Sequence, residues 1–431
     1  MFRSFEEINE KIRERKAVVV TAEEIKQIVE DEGPKEALKK VDVVTTATFG
    51  PMCSSGAFLN FGHSDPPIRM TKVWLNDVPA YAGIAAVDAY IGATELSETK
   101  GLSYGGAHVI EDLIAGREVT LRATSYGTDC YPLKQVTSVI TKDTINQAVM
   151  FNPRNCYQNY GAASNTSAEP IYTYMGKLLP NLGNVSYATS GELSPLLNDP
   201  LYRTIGPGTR IFLGGADGYV AWEGTQHNPC QARGENGVPM GGAGTLALIG
   251  DLKAMNHRYI RAVVFEKYGV SMIVGVGVPI PLLDEEMVRY VSVRNRDIYT
   301  DIFDYSVPSR SRPVLARVSY EDLRSGRVMV RGKSVRTSPL SGLGMAREIA
   351  AILKERIASG AFLLQQPFRP LPLSGEVNVL NARGSEAQHA QCNLSSTSAD
   401  VLSAHGAEAH PVGNKWSPDK AAALHRDESG E

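Results

Sequence analysis

Five cysteines stand at positions 53, 130, 156, 230 and 392. A cysteine acts as nucleophile or sulfur carrier only as the thiolate, whose formation is favoured by nearby backbone N–H groups or cations, as at turns and helix starts. Cys53 has such surroundings: Phe49-Gly50-Pro51-Met52 sets a tight turn before it, Ser54-Ser55-Gly56 offers small residues with free donors after it, and His63 follows within the same stretch. Cys130 closes Tyr126-Gly127-Thr128-Asp129, where Gly127 permits a positive φ and Pro132 stops any ladder, so its thiol is presented by a stiff loop. The adjacent Asp129 works against it, because a near carboxylate raises a thiol pKa. Either residue is also accounted for as a small buried hydrophobe, the commoner fate of a lone cysteine. Cys156, near Arg154, and Cys230, near His227, lie in polar loops with those residues as activators.

Proton-transfer groups are few. Trp222-Glu223-Gly224-Thr225-Gln226-His227 offers a carboxylate and an imidazole in one short run, and His108 follows Gly105-Gly106. Solvated loops and helix caps are the commoner explanation for each of these residues. The odd cysteine count, the long gaps and the lack of a C-x-x-C pair leave no disulfide framework and no zinc or iron–sulfur spacing. Glycine clusters at 214–218, 241–244 and 274–278 invite a phosphate-loop reading, yet none forms G-x-G-x-x-G between strand and helix, nor a Walker pattern.

The elements that must position these residues read as mixed α/β. Ser4 with Glu7 and Thr21 with Glu24 form capping-box patterns ahead of apolar residues at helical spacing, and a third helix is expected over 34–40. The β-branched run 41–48 predicts a buried strand that delivers Cys53 at its exit, and the strand predicted over 118–125, after a helix over 107–115, delivers Cys130 in the same way. Residues 151–244, dense in Gly, Asn, Pro and Tyr, read as long active-site loops on a scaffold. Strands return over 261–266 and 271–278. A helix follows from about Asp284, and a longer one over 342–358 carries Met345, Ile349, Ile352 and Leu353 on one face. Residues 1–383 form the expected catalytic region, and 384–431, with Cys392 and four of the eight histidines, read as a disordered tail.

Composition narrows the partners. With 431 residues, 43% hydrophobic and 21% charged, the chain can bury a large core without metal or disulfide help. A net charge of -3 with scattered Lys and Arg provides no footprint for nucleic acid, and no apolar run is long enough for a membrane helix. The charged amphipathic N-terminus is unlike a signal peptide, so a cytoplasmic protein is expected.

The run Thr45-Thr46-Ala47-Thr48-Phe49-Gly50-Pro51-Met52-Cys53-Ser54-Ser55-Gly56-Ala57-Phe58-Leu59-Asn60-Phe61-Gly62-His63-Ser64-Asp65-Pro66-Pro67-Ile68 resembles the homocysteine biosynthesis family of anaerobic archaea and bacteria, the L-aspartate semialdehyde sulfurtransferases. The resemblance continues through Tyr126–Pro132, Asn152–Tyr157, Phe212–Gly215 and Gly224–Pro229, covering about residues 1–380. It implies conversion of aspartate semialdehyde to homocysteine, with sulfur held as a persulfide on a cysteine that maps onto Cys130; Cys53 matches the family's other prominent cysteine. The outer sulfur of a persulfide adds to an aldehyde carbon while an acid protonates the alkoxide, a role open to His227, Glu223 or His108. Arg154, Arg233 and Arg69 are loop cations suited to the substrate carboxylate.

Turning an aldehyde into a thiol also consumes two electrons, and no nicotinamide, flavin or cluster signature is visible, so the chain is expected to bind no cofactor itself. Family relatives assign the reduction to a small ferredoxin-like partner carrying iron–sulfur clusters, and some carry CBS regulatory domains. A separate reductant, sulfide or another sulfur donor, and no nucleotide regulation are therefore expected; a homo-oligomer is compatible with this reading. Two rivals stand beside it: an acyl or CoA transferase using Glu223 as nucleophile, and a non-catalytic persulfide carrier.

Overall fold

A computed structural model describes residues 2–375. The 384–431 segment, read above as a tail, lies outside the described residues together with Cys392.

The architecture is mixed α/β. Its spine is the strand Gly269–Pro281, which pairs antiparallel with Val43–Pro51 from Val43↔Pro281 to Pro51↔Ile273. Val19–Thr21 adds parallel to the outer side of Val43–Pro51. On the other side of the spine the sheet continues through Arg210–Leu213, Ala216–Glu223, Leu246–Asp251, Gln147–Asn155, Gly56–Asn60 and Asp88–Gly92. The spine is almost wholly apolar, with Val and Ile at six of its thirteen positions, as suits a strand covered on both faces.

The helix Leu343–Ala358 covers that spine, with Ile349 and Leu353 buried and Met345 and Ile352 packed at the margin. Its close approach explains the glycines of the Val274–Val278 run. A Cβ on Gly275 would stand 2.8 Å from the Ile349 side chain and 3.2 Å from the Tyr259 carbonyl, and one on Gly277 would meet Ile349 at 3.0 Å. These glycines seat a helix rather than a phosphate. Gly214 and Gly215, at φ of 60° and 98°, form the two-residue turn of the hairpin Arg210–Leu213 and Ala216–Glu223, for which positive φ at both positions is required.

At the N-terminus, Ser4 and Glu7 form the full capping box of helix Phe5–Arg13, and Thr21 and Glu24 exchange the same pair of hydrogen bonds at the start of Glu24–Glu32. The third helix spans Pro34–Lys40. Asp42, buried behind this region, accepts from Arg3 at 2.6 Å, Lys11 at 2.7 Å and the Val18 amide at 2.9 Å, fastening the N-terminal helix to the entry of the Cys53 strand.

Residues 151–244 hold more regular structure than their composition suggests. Ala162–Ser164 and Asn184–Tyr187 join Tyr299–Asp304, Val314–Ser319, Arg327–Val330 and Lys333–Pro339 in a six-stranded sheet. Ile171–Thr173 and Gly176–Leu178 form a small hairpin. Strands of three or four residues are too short to display a period, and two of the pairings in this sheet are parallel partners distant in sequence. This sheet has its own core around Val185, Ile302, Tyr320 and Val335, separate from the main one. A four-stranded sheet, ordered Gln135–Ile140, Val119–Thr124, Lys72–Leu75, Val78–Ala80, carries the Cys130 loop. Among the described residues no helix is long and apolar enough to cross a membrane.

Candidate active site

A cavity of about 530 Å³ opens where the main sheet meets the six-stranded one, and Cys53 stands in its wall. Its position follows from the strand pairing. The ladder between Val43–Pro51 and the spine is continued by the Met52 amide, which donates to the Met272 carbonyl at 2.7 Å. Beyond it the chain turns back, with Ser55 donating through its amide and its hydroxyl to the Met52 carbonyl. Cys53 sits at the apex of that turn, half-buried, where the hydroxyl of the buried Ser271 donates to its Sγ at 3.2 Å.

A second clamp fixes the turn from the side. Asn152, wholly buried, donates from Nδ2 to the Ser55 hydroxyl at 2.8 Å and accepts the Arg154 amide at 3.1 Å. Between Asn152 and Asn155 the pairing with Leu246–Asp251 shifts register. Pro153 cannot donate to a ladder, and a bulge at such a residue re-aims the next side chain. Arg154 is turned into the cavity wall, held by Gln226 at 2.6 Å and Thr225 at 3.1 Å. Cys156, also in the wall, is fully buried, and burial pushes its thiol far above the ordinary range. It is a thiol at neutral pH and no nucleophile.

The far side of the cavity is aromatic. The Tyr174 hydroxyl, on the small hairpin, is hydrogen-bonded to those of Tyr160 at 3.1 Å and Tyr305 at 2.9 Å. Burial first, and the neighbouring Tyr174 second, hold Tyr160 and Tyr305 well above the phenol range. Tyr268 faces Cys53, and its phenol is pushed up to about 12 by burial and then by the adjacent thiol. It therefore keeps its proton at neutral pH and is available as a donor beside the sulfur. Among the described residues no Asp, Glu, Lys or His lines this cavity. Among the described residues, no group of three or more His, Cys, Asp or Glu is placed to hold a metal ion.

The residues singled out in the sequence separate in space. Cys53 and Arg154 meet in the cavity; Cys130, His227, Glu223, His108, Arg233 and Arg69 are not in its wall. Cys130 is exposed on the 126–132 loop, which is closed by mutual amide–carbonyl bonds between Thr128 and Tyr131. Tyr131 of that loop stacks on His63 at 6.2 Å, and Arg69 reaches the hydroxyl of Tyr126 at 3.4 Å. His63 follows the strand Gly56–Asn60, whereas Cys53 precedes it, and a strand of that length spans about 13 Å.

The other candidates have structural partners. His227 accepts the Thr245 amide at Nδ1, 3.3 Å, which leaves Nε2 to donate to the Pro372 carbonyl at 2.9 Å. Glu223 is paired with Arg369, whose guanidinium lies 3.8 Å over the Trp222 ring. His108 accepts the Gly105 amide at the start of helix Gly106–Ile114, and burial lowers its pKa. Arg233 donates to the carbonyls of Pro200 and Gly237 and to Tyr202. Cys230 is exposed and lies against the Gly375 carbonyl.

Sequence reasoning did not reach Ser271, Asn152, the tyrosines, or Arg310 and Arg312, which also line the cavity. Only the last pair had a local signal, two arginines in the proline-bounded run Pro308-Ser309-Arg310-Ser311-Arg312-Pro313.

The arrangement can thus present a sulfur nucleophile, donate a phenolic proton beside it, and hold an anion. The model of the family described as "homocysteine biosynthesis enzyme, sulfur-incorporation" matches residues 17–364. An L-aspartate semialdehyde sulfurtransferase of Methanosarcina acetivorans is 52% identical over 373 residues, covering 86% of this chain and 73% of that protein. Another of the same name from Methanocaldococcus jannaschii is 52% identical over 381 residues, 85% and 72% of the two chains. An uncharacterized protein of Methanothermobacter thermautotrophicus is 34% identical over 336 residues, 76% and 73% of the two. No solved structure matches the chain. With a family match spanning most of its length and relatives at this identity, the chain belongs to the homocysteine biosynthesis enzymes that incorporate sulfur.

Proposed function

We propose that this chain converts L-aspartate semialdehyde to L-homocysteine, with Cys53 as the thiol at the substrate and Cys130 as the surface thiol that accepts sulfur. The observation that carries the reading is Cys53 itself: a half-buried thiol, hydrogen-bonded by Ser271, in the wall of a cavity furnished with arginines and tyrosines. Relatives at 52% identity bear the name of this activity.

In this mechanism Cys130, open to solvent, takes sulfur from sulfide plus an oxidant or from another donor and becomes a persulfide. The Cys53 thiolate attacks the outer sulfur, the Cys130 thiolate leaves, and the sulfur is now on Cys53. The 126–132 loop must reach Cys53 of its own or of another copy for this step. The outer sulfur then adds to the aldehyde carbon, forming the C–S bond, and Tyr268 donates its proton to the developing alkoxide. Two electrons cleave the S–S bond and return Cys53. Loss of water from the remaining hydroxythiol leaves a thioaldehyde, which two further electrons and two protons reduce to the thiol.

These electrons come from outside the chain, in this proposal from a ferredoxin-like iron–sulfur protein. The test is homocysteine formation under anaerobic conditions with such a reductant. Cys53→Ser and Cys130→Ser should each abolish it, while Glu223→Gln should retain it. An inactive Glu223→Gln beside an active Cys53→Ser would favour acyl transfer through the carboxylate instead.

A further inference from the structure

Among the described residues three arginines, Arg154, Arg310 and Arg312, line the Cys53 cavity, and no carboxylate does. Arg154 is held by neutral partners, Gln226 and Thr225. Arg310 and Arg312 form neither an ion pair nor a side-chain hydrogen bond among the described residues. The Arg312 guanidinium instead lies 4.1 Å over the Tyr305 ring, and its Nε is buried with no hydrogen-bond partner. Most of the other arginines are committed: Arg203 to Asp284, Arg258 to Glu348 and Arg347 to Glu23, for example.

A partly desolvated guanidinium that lacks an anion is costly, and the planar fork matches a carboxylate. The contact with the Tyr305 ring holds the Arg312 guanidinium in the cavity wall, and Tyr305 is tied through Tyr174 to Tyr268 beside Cys53. The loop bearing both arginines joins the strands Tyr299–Asp304 and Val314–Ser319, so they enter the cavity from the six-stranded sheet, opposite the element that carries Cys53.

We infer that Arg312, with Arg310, is the carboxylate-recognition element of this cavity and sets its preference for α-amino-acid aldehydes over simple amino-aldehydes. The inference rests on the proposed function for the identity of the substrate. The rings of Tyr160 and Tyr174 in the same wall provide electron-rich surface for the ammonium group, for which the wall has no acidic partner among the described residues.

The experiment compares kcat/KM for L-aspartate semialdehyde with that for 3-aminopropanal, the same aldehyde without its carboxylate, in wild type, Arg312→Met, Arg312→Lys and Arg310→Met. Arg312→Met should lower the value for aspartate semialdehyde by roughly 10- to 100-fold, mainly through KM, and leave that for 3-aminopropanal unchanged. Arg312→Lys should recover part of the loss, and an unchanged Tm shows that the variants are folded. A discrimination ratio unchanged in Arg312→Met would overturn the inference.

Calorimetric titration with L-homoserine and with 3-aminopropan-1-ol reads the same contrast without turnover. Homoserine binding lost in Arg312→Met supports the site even if the wild type makes no homocysteine, a result that would count against the proposed function alone. Equal homoserine binding by wild type and variant would overturn the inference.

Discussion

Asn152→Ala removes the clamp that joins the Cys53 turn to the Arg154 bulge. The amide bridges the Ser55 hydroxyl at 2.8 Å and the Arg154 amide at 3.1 Å from a site with no solvent exposure. After truncation the Arg154 N–H loses its acceptor, while Ser55 still donates to the Met52 carbonyl. One stranded buried donor plus one lost hydrogen bond costs about 2–3 kcal/mol. Spread over the unfolding entropy of some 375 residues, this corresponds to a fall in Tm of about 3 °C. The functional effect should be larger than the global one, because the turn that holds Ser55 also carries Cys53, and both Cys53 and Arg154 line the cavity. Iodoacetamide labelling of Cys53, followed by peptide mapping, should accelerate in the variant while that of Cys130 stays unchanged, and homocysteine formation should drop. Unchanged Tm together with unchanged Cys53 labelling would refute the positioning argument.

Three further outcomes follow from the same geometry. Alkylation of the native protein should modify Cys130 and Cys230 first, Cys53 more slowly, and Cys156 only after denaturation, as burial and its raised pKa require. Tyr268→Phe should lower kcat by about 100-fold or more with persulfide formation intact, measured by single turnover; full activity would remove Tyr268 as the acid. Lys26 is buried and its amine is pushed down from 10.5 to about 8, chiefly by desolvation, so the native state binds that proton less tightly than the unfolded chain. The penalty, about 3 kcal/mol, is fully present below pH 8 and disappears as pH rises from 8 towards 10.5. Urea titrations across this window should therefore show wild-type stability rising relative to Lys26→Met, and parallel curves would contradict the burial argument.

Local chemistry made several elements legible. The Ser4–Glu7 and Thr21–Glu24 boxes, the strand that delivers Cys53, the strand before Cys130 and the helix bearing Ile349 stand where propensity and periodicity put them. What was not legible depends on contacts across long stretches of chain. Ser271 meets Cys53 only because the spine pairs with Val43–Pro51, and Tyr174 meets Tyr305 across 131 residues. His227 and Glu223 looked suited to acid–base work, yet the chain near 369–372 returns to occupy both, with the Pro372 carbonyl on one and Arg369 on the other. What the glycine runs do was hidden for a related reason. Gly275 and Gly277 make room for a helix that begins more than sixty residues later.

The central claim is that sulfur passes to the substrate from Cys53 in the cavity. The most direct measurement exposes anaerobically purified wild type, Cys53→Ser and Cys130→Ser to sulfide and an oxidant, maps the added sulfur by peptide mass spectrometry, and then adds L-aspartate semialdehyde with reductant. Wild type should carry sulfur on Cys53 and lose it as homocysteine appears; Cys53→Ser should retain sulfur on Cys130 and make no homocysteine. Homocysteine formed by Cys53→Ser at the wild-type rate would contradict the account.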